Sequence, residues 1–225
     1  MTGGTFMSRR RHLSFNLMNG SRLARRGLFA FFFTLVLLRC TAESNSSSAQ
    51  PPPRSNECEW CGAQDAPERL SHSTTIAPAS EPGTRIVITG RILHADGSPA
   101  RNVLMYAYHT NAKGIYPKRG PSDGTLSWRH GYLRGWLRTD REGRYELKTI
   151  RPGSYPGRSD PAHIHVTLKP PDGDEFYIPD FIFDDDPLVT ATERERLAGV
   201  GESAAILRLR QQGSTLHASR DIVIR

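Results

Sequence analysis

Two histidines alternate in Pro161-Ala-His163-Ile-His165-Val166. On a strand, residues i and i+2 project from one face, so both imidazoles can reach a single metal ion. Which ion depends on the remaining ligands. A 2-His-1-carboxylate set favours Fe(II), but a His-x-Asp or His-x-Glu pattern is absent at this position. A catalytic zinc site needs a third histidine or a carboxylate, which His109, His130, Asp160 or Asp180 could supply. Tyrosine is the better complement. Tyr155 lies eight residues before His163 in the turn-rich Pro152-Gly-Ser-Tyr-Pro-Gly157, and Tyr116 lies in Gly114-Ile-Tyr-Pro117, just beyond a strand ending near His109. A phenol of ordinary pKa about 10 becomes a ligand only where a strongly polarising cation holds the phenolate, and Fe(III) is such a cation. Two phenolates and two imidazoles leave a ferric site near neutral once hydroxide or substrate joins.

The elements that must position these groups read as strands. Arg85–Leu93 is β-rich and ends at an Asp96-Gly97 turn; Asn102–His109 is a second strand. Gly135–Thr139 and Arg144–Ile150 form a hairpin, and His163–Leu168 carries the histidines. Glu175–Ile178 is a further strand that Phe181–Phe183 continues, with late ones near Ala204–Leu209 and Asp221–Ile224; only Ala191–Leu197 looks helical. The expected fold is all-β, a β-sandwich with long site-bearing loops and one short helix. Those loops are Asn111–Arg134 and Arg151–Ala162.

Charge points away from nucleic acid. The 225 residues carry a net +7, but residues 1–39 hold seven Arg and no acidic residue, leaving 23 basic against 23 acidic residues beyond them. Arg25-Arg26 precede the eleven-residue apolar run Leu28–Leu38, too short to span a bilayer comfortably, and Cys40 follows. Residues 1–40 therefore read as an export signal, with Cys40 a candidate for lipidation and membrane tethering, and the domain is expected to be periplasmic, extracellular or anchored. Residues 41–83, rich in Ser and Pro, read as a flexible linker, and 84–225 as the folded domain. Within the linker, Cys58 and Cys61 form one CxxC pair; no second pair exists to complete a zinc site, and in an oxidising compartment a local disulfide is expected.

From Arg85 to about Thr190 the chain resembles the intradiol ring-cleavage dioxygenases, the protocatechuate and catechol dioxygenase group, and in particular their short exported single-domain type. The matching segments, in order, are Thr89-Gly-Arg91, Asp96-Gly-Ser-Pro99, Val103-Leu-Met-Tyr-Ala-Tyr-His109, Lys113-Gly-Ile-Tyr116, Gly135-Trp-Leu-Arg-Thr-Asp140, Gly143-Arg-Tyr145, Thr149-Ile-Arg-Pro-Gly-Ser-Tyr155, Pro161-Ala-His-Ile-His165 and Phe183-Asp-Asp-Asp-Pro187. The family fold is a β-sandwich, in agreement with the pattern of strands. The resemblance implies that Tyr116, Tyr155, His163 and His165 are ligands of a nonheme Fe(III). It further implies that a small aromatic diol binds through both oxygens while Tyr155 leaves the metal and takes up a proton. Dioxygen then opens the ring between the hydroxyl-bearing carbons to a cis,cis-muconate-type diacid.

Two positions depart from the family pattern. Asp160 stands where an Arg usually assists the ring's charge redistribution, and Asp180 stands where a Gln is usual; both are expected in the substrate region. Two carboxylates oppose a carbanionic ring electrostatically. Arg158, two residues from Asp160, can substitute as the catalytic cation or simply pair with Asp160. Trp128 and Trp136 are expected in packing, Asp184–Asp186 in a solvated turn, and Arg129, Arg134 and Arg138 on the surface. Besides the dioxygenase, two other functions are compatible: a non-catalytic metal- or aromatic-ligand-binding module of this fold, and zinc hydrolysis by His163, His165 and a carboxylate. The oligomeric state is not encoded in any of these patterns.

Overall fold

The structure, a computed structural model, describes residues 58–199 and 203–225. The expected export signal 1–40 with Cys40, and the part 41–57 of the expected linker, lie outside the described residues. In chain order the strands are β1 (Ser73–Thr75), β2 (Arg85–His94), β3 (Leu104–His109), β4 (Arg134–Arg138), β5 (Arg144–Ile150), β6 (His163–Lys169) and β7 (Phe176–Phe183). After the helix α1 (Ala191–Gly199) come β8 (Ile206–Leu207), β9 (Arg210–Gln212), β10 (Thr215–Ser219) and β11 (Ile222–Ile224). One sheet runs β1-β5-β2-β10-β9, with β11 also on β2; the other runs β4-β3-β6-β7-β8. The first sheet is mixed, with β1 on β5 and both β10 and β11 on β2 in parallel, and the second is antiparallel except where β8 joins β7; two sheets and one short helix make the all-β sandwich expected.

Alternation sets the layers. Along β2, Ile86, Ile88 and Ile92 are buried; across the antiparallel pair to β5, Ile88 faces Leu147 and Gly90 faces Tyr145. From the other sheet Met105, Ala107, Leu137, Ile164, Val166, Leu168, Phe181 and Phe183 complete the same core. Each fully buried aliphatic or aromatic side chain contributes about 2 kcal/mol. β6 has the sharpest pattern, with Ile164 and Val166 inward and His163 and His165 on the opposite face, each half-buried. The sandwich thus holds the two histidines on the outer surface of the second sheet.

β3 is different, since all six residues are buried. Met105 and Ala107 enter the core, while Tyr106 and Tyr108 are covered from outside by the Cys58–Asp65 segment and the 3-10 turn Leu126–His130. Trp136 packs on Tyr106 and donates from Nε1 to Gly62 O, and Trp128 donates to Pro121 O, so both tryptophans pack as expected. A disulfide joins Cys58 to Cys61.

Several expectations need correction. Residues 58–83 are not linker: β1 pairs with β5, Ile76 and Ala77 lie in the core, and the Glu175 carboxylate accepts from Gly62 N and Ala63 N at 3.0 Å each. Their few apolar residues give no period, because each is a single anchor. Phe181–Phe183 does continue the strand expected at Glu175–Ile178, and the whole is β7. The late strand expected at Ala204–Leu209 is a 3-10 turn, Ser203–Ala205, followed by two strand residues. β10, which pairs in parallel with β2, has only a short, weak alternation of Leu216 and Ala218 to announce it. The turn Asp184–Asp186 is not fully solvated: Asp186 is buried and accepts from Ala162 N at 3.0 Å and Leu188 N at 2.9 Å.

Candidate metal centre

The first component of the site is β6, which presents His163 and His165 with Nε2 atoms 3.1 Å apart. Their other nitrogens are occupied. His163 Nδ1 donates to Pro161 O at 2.6 Å, and His165 Nδ1 donates to Asp180 Oδ1 at 2.9 Å and lies 2.7 Å from Tyr177 Oη. With each Nδ1 carrying the proton, both Nε2 lone pairs face one another. Burial, with His165 beside it, also holds His163 below the ordinary imidazole range, so it is neutral near pH 7. Two nitrogens placed so could hold a cation between them.

The second component is a pair of loops bound back to back. Asn111 O accepts from Gly153 N at 2.9 Å, and Thr110 Oγ1 donates to Gly153 O at 2.8 Å. Asn111 Oδ1 also accepts from Lys113 N and Ile115 N, winding the first loop tightly. Gly114 has φ +78°, and a Cβ there would fall 1.9 Å from Ser154 O, so only glycine allows the loops this close. Tyr116 and Tyr155 consequently meet, with hydroxyl oxygens 2.6 Å apart, and Tyr155 Oη lies 3.1 Å from His165 Nε2. Burial pushes both phenols above their usual range; the neighbouring Tyr155 raises Tyr116 further, whereas the hydrogen bond with Tyr116 opposes the rise at Tyr155.

Four donor atoms, two phenolic oxygens and two imidazole nitrogens, therefore lie in one contiguous cluster. Tyr116, Tyr155, His163 and His165 line an open cavity of about 1130 Å³, together with Arg158, Asp160 and Asp180. Arg158 Nε lies 2.7 Å from Asp160 Oδ2, and the guanidinium carbon sits 5.3 Å from the centre of the Tyr155 ring. The expected substrate-region carboxylates thus differ. Asp160 is neutralised by its neighbour, while Asp180 is engaged with His165 and Tyr177.

The alternatives for a zinc ligand narrow on the same geometry. His109 is fully buried, with Nδ1 on Thr110 O and Nε2 on Thr149 Oγ1. His130 is held by Tyr106 Oη and Glu59 O. His163, His165 and Asp180 do place ligand-type atoms within 4.8 Å of one another, but Asp180 approaches the Nδ1 of His165, opposite the Nε2 that faces His163. Arg134 pairs with Asp123, and Arg138 donates to Asn102 O.

Three contributors were not foreseen. Tyr108 lies directly opposite His165 in the β3–β6 register; its ring is sandwiched between His165 (centroids 4.6 Å) and His130 (3.7 Å). The signal was available, because Tyr108 shares its strand face with Tyr106. Tyr177 and the Glu193–Arg196 pair on α1 complete the cavity wall. Nothing local distinguishes those from ordinary surface residues.

The sequence model of the family described as Dioxygenase matches residues 63–194. The protocatechuate 3,4-dioxygenase beta chain of Burkholderia cepacia is 35% identical over 186 residues, covering 73% of this chain and 75% of that one. Catechol 1,2-dioxygenase 2 of Acinetobacter lwoffii is 30% identical over 131 residues, and the chain spans only 46% of that relative's length, the match covering 46% of this chain. Among solved structures, an intradiol ring-cleavage dioxygenase from Tetranychus urticae overlays with TM-score 0.53 at 20% identity, over 70% of this chain and 88% of its own. The dioxygenase domain from Streptomyces sp. SirexAA-E overlays with TM-score 0.51 at 24% identity, over 67% and 86%. At such identities these two likenesses speak for the fold, and the family rests on the sequence matches. The chain belongs to the intradiol ring-cleavage dioxygenase family.

Proposed function

We propose that the chain is a nonheme Fe(III) dioxygenase that opens a catechol-type aromatic diol between its two hydroxyl-bearing carbons, using O2. The observation that carries this reading is the convergence of Tyr116 Oη, Tyr155 Oη, His163 Nε2 and His165 Nε2 in one cluster on the cavity wall. The donor set fits a ferric ion: phenols pushed upward by burial ionise only for a strongly polarising cation, and the two facing lone pairs could hold one. The chemistry supplied by ferric iron in such a setting is activation of a bound catecholate towards dioxygen.

The chain's own residues do the rest. Tyr116 is the more deeply buried phenol and is fixed by the Gly114 loop, which suits a permanent ligand. Tyr155 is less buried, so its Oη can take a proton from a substrate hydroxyl and remain in the cavity as a neutral phenol. Arg158, lying over the Tyr155 ring, pairs with Asp160, and the pairing removes the repulsion that Asp160 alone would exert on a negatively charged ring. Ile182, Leu188 and Leu197 offer apolar surface to an aromatic ring.

The test is iron content and the visible spectrum of the full-length protein, followed by oxygen uptake with catechol and detection of the diacid. Near-stoichiometric iron, a tyrosinate-to-iron band and one O2 consumed per diacid support the proposal. Protein that stays iron-free after ferric reconstitution refutes it. Iron-loaded protein that perturbs its band with catechol yet consumes no O2 hands the function to a binding module of the same fold.

A further inference from the structure

The pairing opposite His165 is irregular. Ile164 pairs with Phe181 and Val166 with Ile178, so two residues, Pro179 and Asp180, stand opposite the single His165. This is a β-bulge, and Pro179, with no N–H to give, occupies the place where the ladder is already interrupted. The Pro179 carbonyl accepts from Arg220 Nη1 at 2.8 Å, fixing the bulge from the neighbouring sheet. Its effect on side-chain parity is decisive. With unbroken alternation, Asp180 would share the core face with Ile178; the extra residue returns Phe181 to the core and turns Asp180 outward beside His165.

There the carboxylate is placed with care. Asp180 Oδ1 accepts from His165 Nδ1 at 2.9 Å, Tyr177 donates its hydroxyl to the same oxygen, and the Tyr177 ring packs against Trp60 of the disulfide loop at 6.0 Å between centroids. We propose that Asp180, presented by this bulge and braced by Tyr177, is the positioning residue for His165. By accepting the Nδ1 proton it fixes the tautomer and ring plane, aims the Nε2 lone pair at the ion, and makes the imidazole a stronger electron donor. Asp180 is then neither a substrate contact nor a metal ligand. The inference rests on the ferric reading of the site.

The experiment uses the full-length chain and the variants Asp180→Asn, Asp180→Leu and Tyr177→Phe. Each is titrated with ferric iron against nitrilotriacetate as competitor, and the visible spectrum is recorded without substrate. Asp180→Asn, near-isosteric but uncharged, is expected to bind iron about tenfold more weakly and Asp180→Leu about a hundredfold, the range for loss of a partner behind a ligand. In both, a less donating His165 leaves the iron more electron-poor, so the tyrosinate-to-iron band moves to longer wavelength. Tyr177→Phe is expected to fall by less than tenfold with the band nearly in place. Thermal melts of the iron-free proteins separate a folding defect, which lowers the melting temperature without moving the band of the loaded fraction. Iron affinity within twofold of wild type and an unmoved band in Asp180→Leu overturn the proposal. So does complete loss of iron in both Asp180 variants, equal to that in His165→Ala, because Asp180 would then be a ligand. Wild-type protein that takes up no iron refutes the ferric site itself, and the inference with it.

Discussion

Asp186 tests how the sandwich holds the site, because one buried carboxylate secures the chain immediately before His163. Its Oδ2 accepts from the buried Ala162 N–H at 3.0 Å and its Oδ1 from Leu188 N–H at 2.9 Å. Asp186→Asn keeps one acceptor and turns an NH2 group against the other N–H. One charge-assisted bond, worth about 2 kcal/mol, is lost. Asp186→Ala removes both acceptors. Water can replace the partner of Leu188, which is half-buried, but not that of Ala162, so the total is about 3 kcal/mol. For a domain of this size each kcal/mol lowers the melting temperature by about 2–4 °C. Asp186→Asn is therefore expected to melt about 4–8 °C lower and Asp186→Ala about 6–12 °C lower, measured by circular dichroism on iron-free protein. Ordering is the sharper criterion. If Asn melts with wild type while Ala drops, a single acceptor suffices and the two-bond account is wrong; if neither moves, the carboxylate contributes nothing net to folding.

Other perturbations address the site and its supports. Tyr155→Phe removes the proton acceptor, and oxygen uptake with catechol is expected to fall about a hundredfold; Tyr116→Phe is expected to lose iron as well, read as metal content after gel filtration. His109 is buried with its pKa pushed down to about 4 by desolvation. Between the unfolded value near 6.5 and 4, the unfolded chain binds the proton that the folded one refuses, so stability is fully present above pH 6.5 and falls as pH drops, by about 3 kcal/mol at pH 4. His109→Gln, which can still reach Thr110 O or Thr149 Oγ1, is expected to flatten the melting-temperature profile between pH 6.5 and 4. An unchanged slope would show that His109 does not titrate on unfolding. Replacing Cys58 and Cys61 with Ser opens only a short loop, so about 2 kcal/mol is expected to be lost. Hydrogen exchange would show greater opening at Gly62 and Ala63, whose N–H groups bond Glu175, than at the β3 amides.

What the sequence carried best was local repetition. The alternation of His163 and His165 against Ile164 and Val166 is a period-2 pattern, and the strand delivers it unchanged. β2, β3 and β5 were readable for the same reason, whereas β10 was not. Thr-Leu-His-Ala-Ser at 215–219 alternates weakly, and its pairing with β2 lies more than a hundred residues away in the chain. The Cys58–Asp65 segment likewise looked like linker because its anchors, Glu175 for Gly62 and Ala63 and Ser127 for Asp65, are distant in sequence. Single contacts of that kind leave no periodic trace.

The metal site shows the same division at finer scale. Tyr116 and Tyr155 could be suspected from their loops, yet their meeting depends on backbone bonds between Asn111 and Gly153 and on the absence of a side chain at Gly114. Asp180 is the harder case. Counting alternate residues along Phe176–Phe183 assigns it to the core face with Ile178, where an unpaired carboxylate would be costly. Only the extra residue opposite His165 reverses that assignment, and a Pro just before Asp180 is compatible with a bulge without demanding one. A departure from the family pattern that reads in one dimension as an electrostatic liability towards the substrate thus becomes, in the folded chain, a partner on the far side of a histidine. On the proposed reading, its charge acts on the donor strength of His165 rather than directly on the ring.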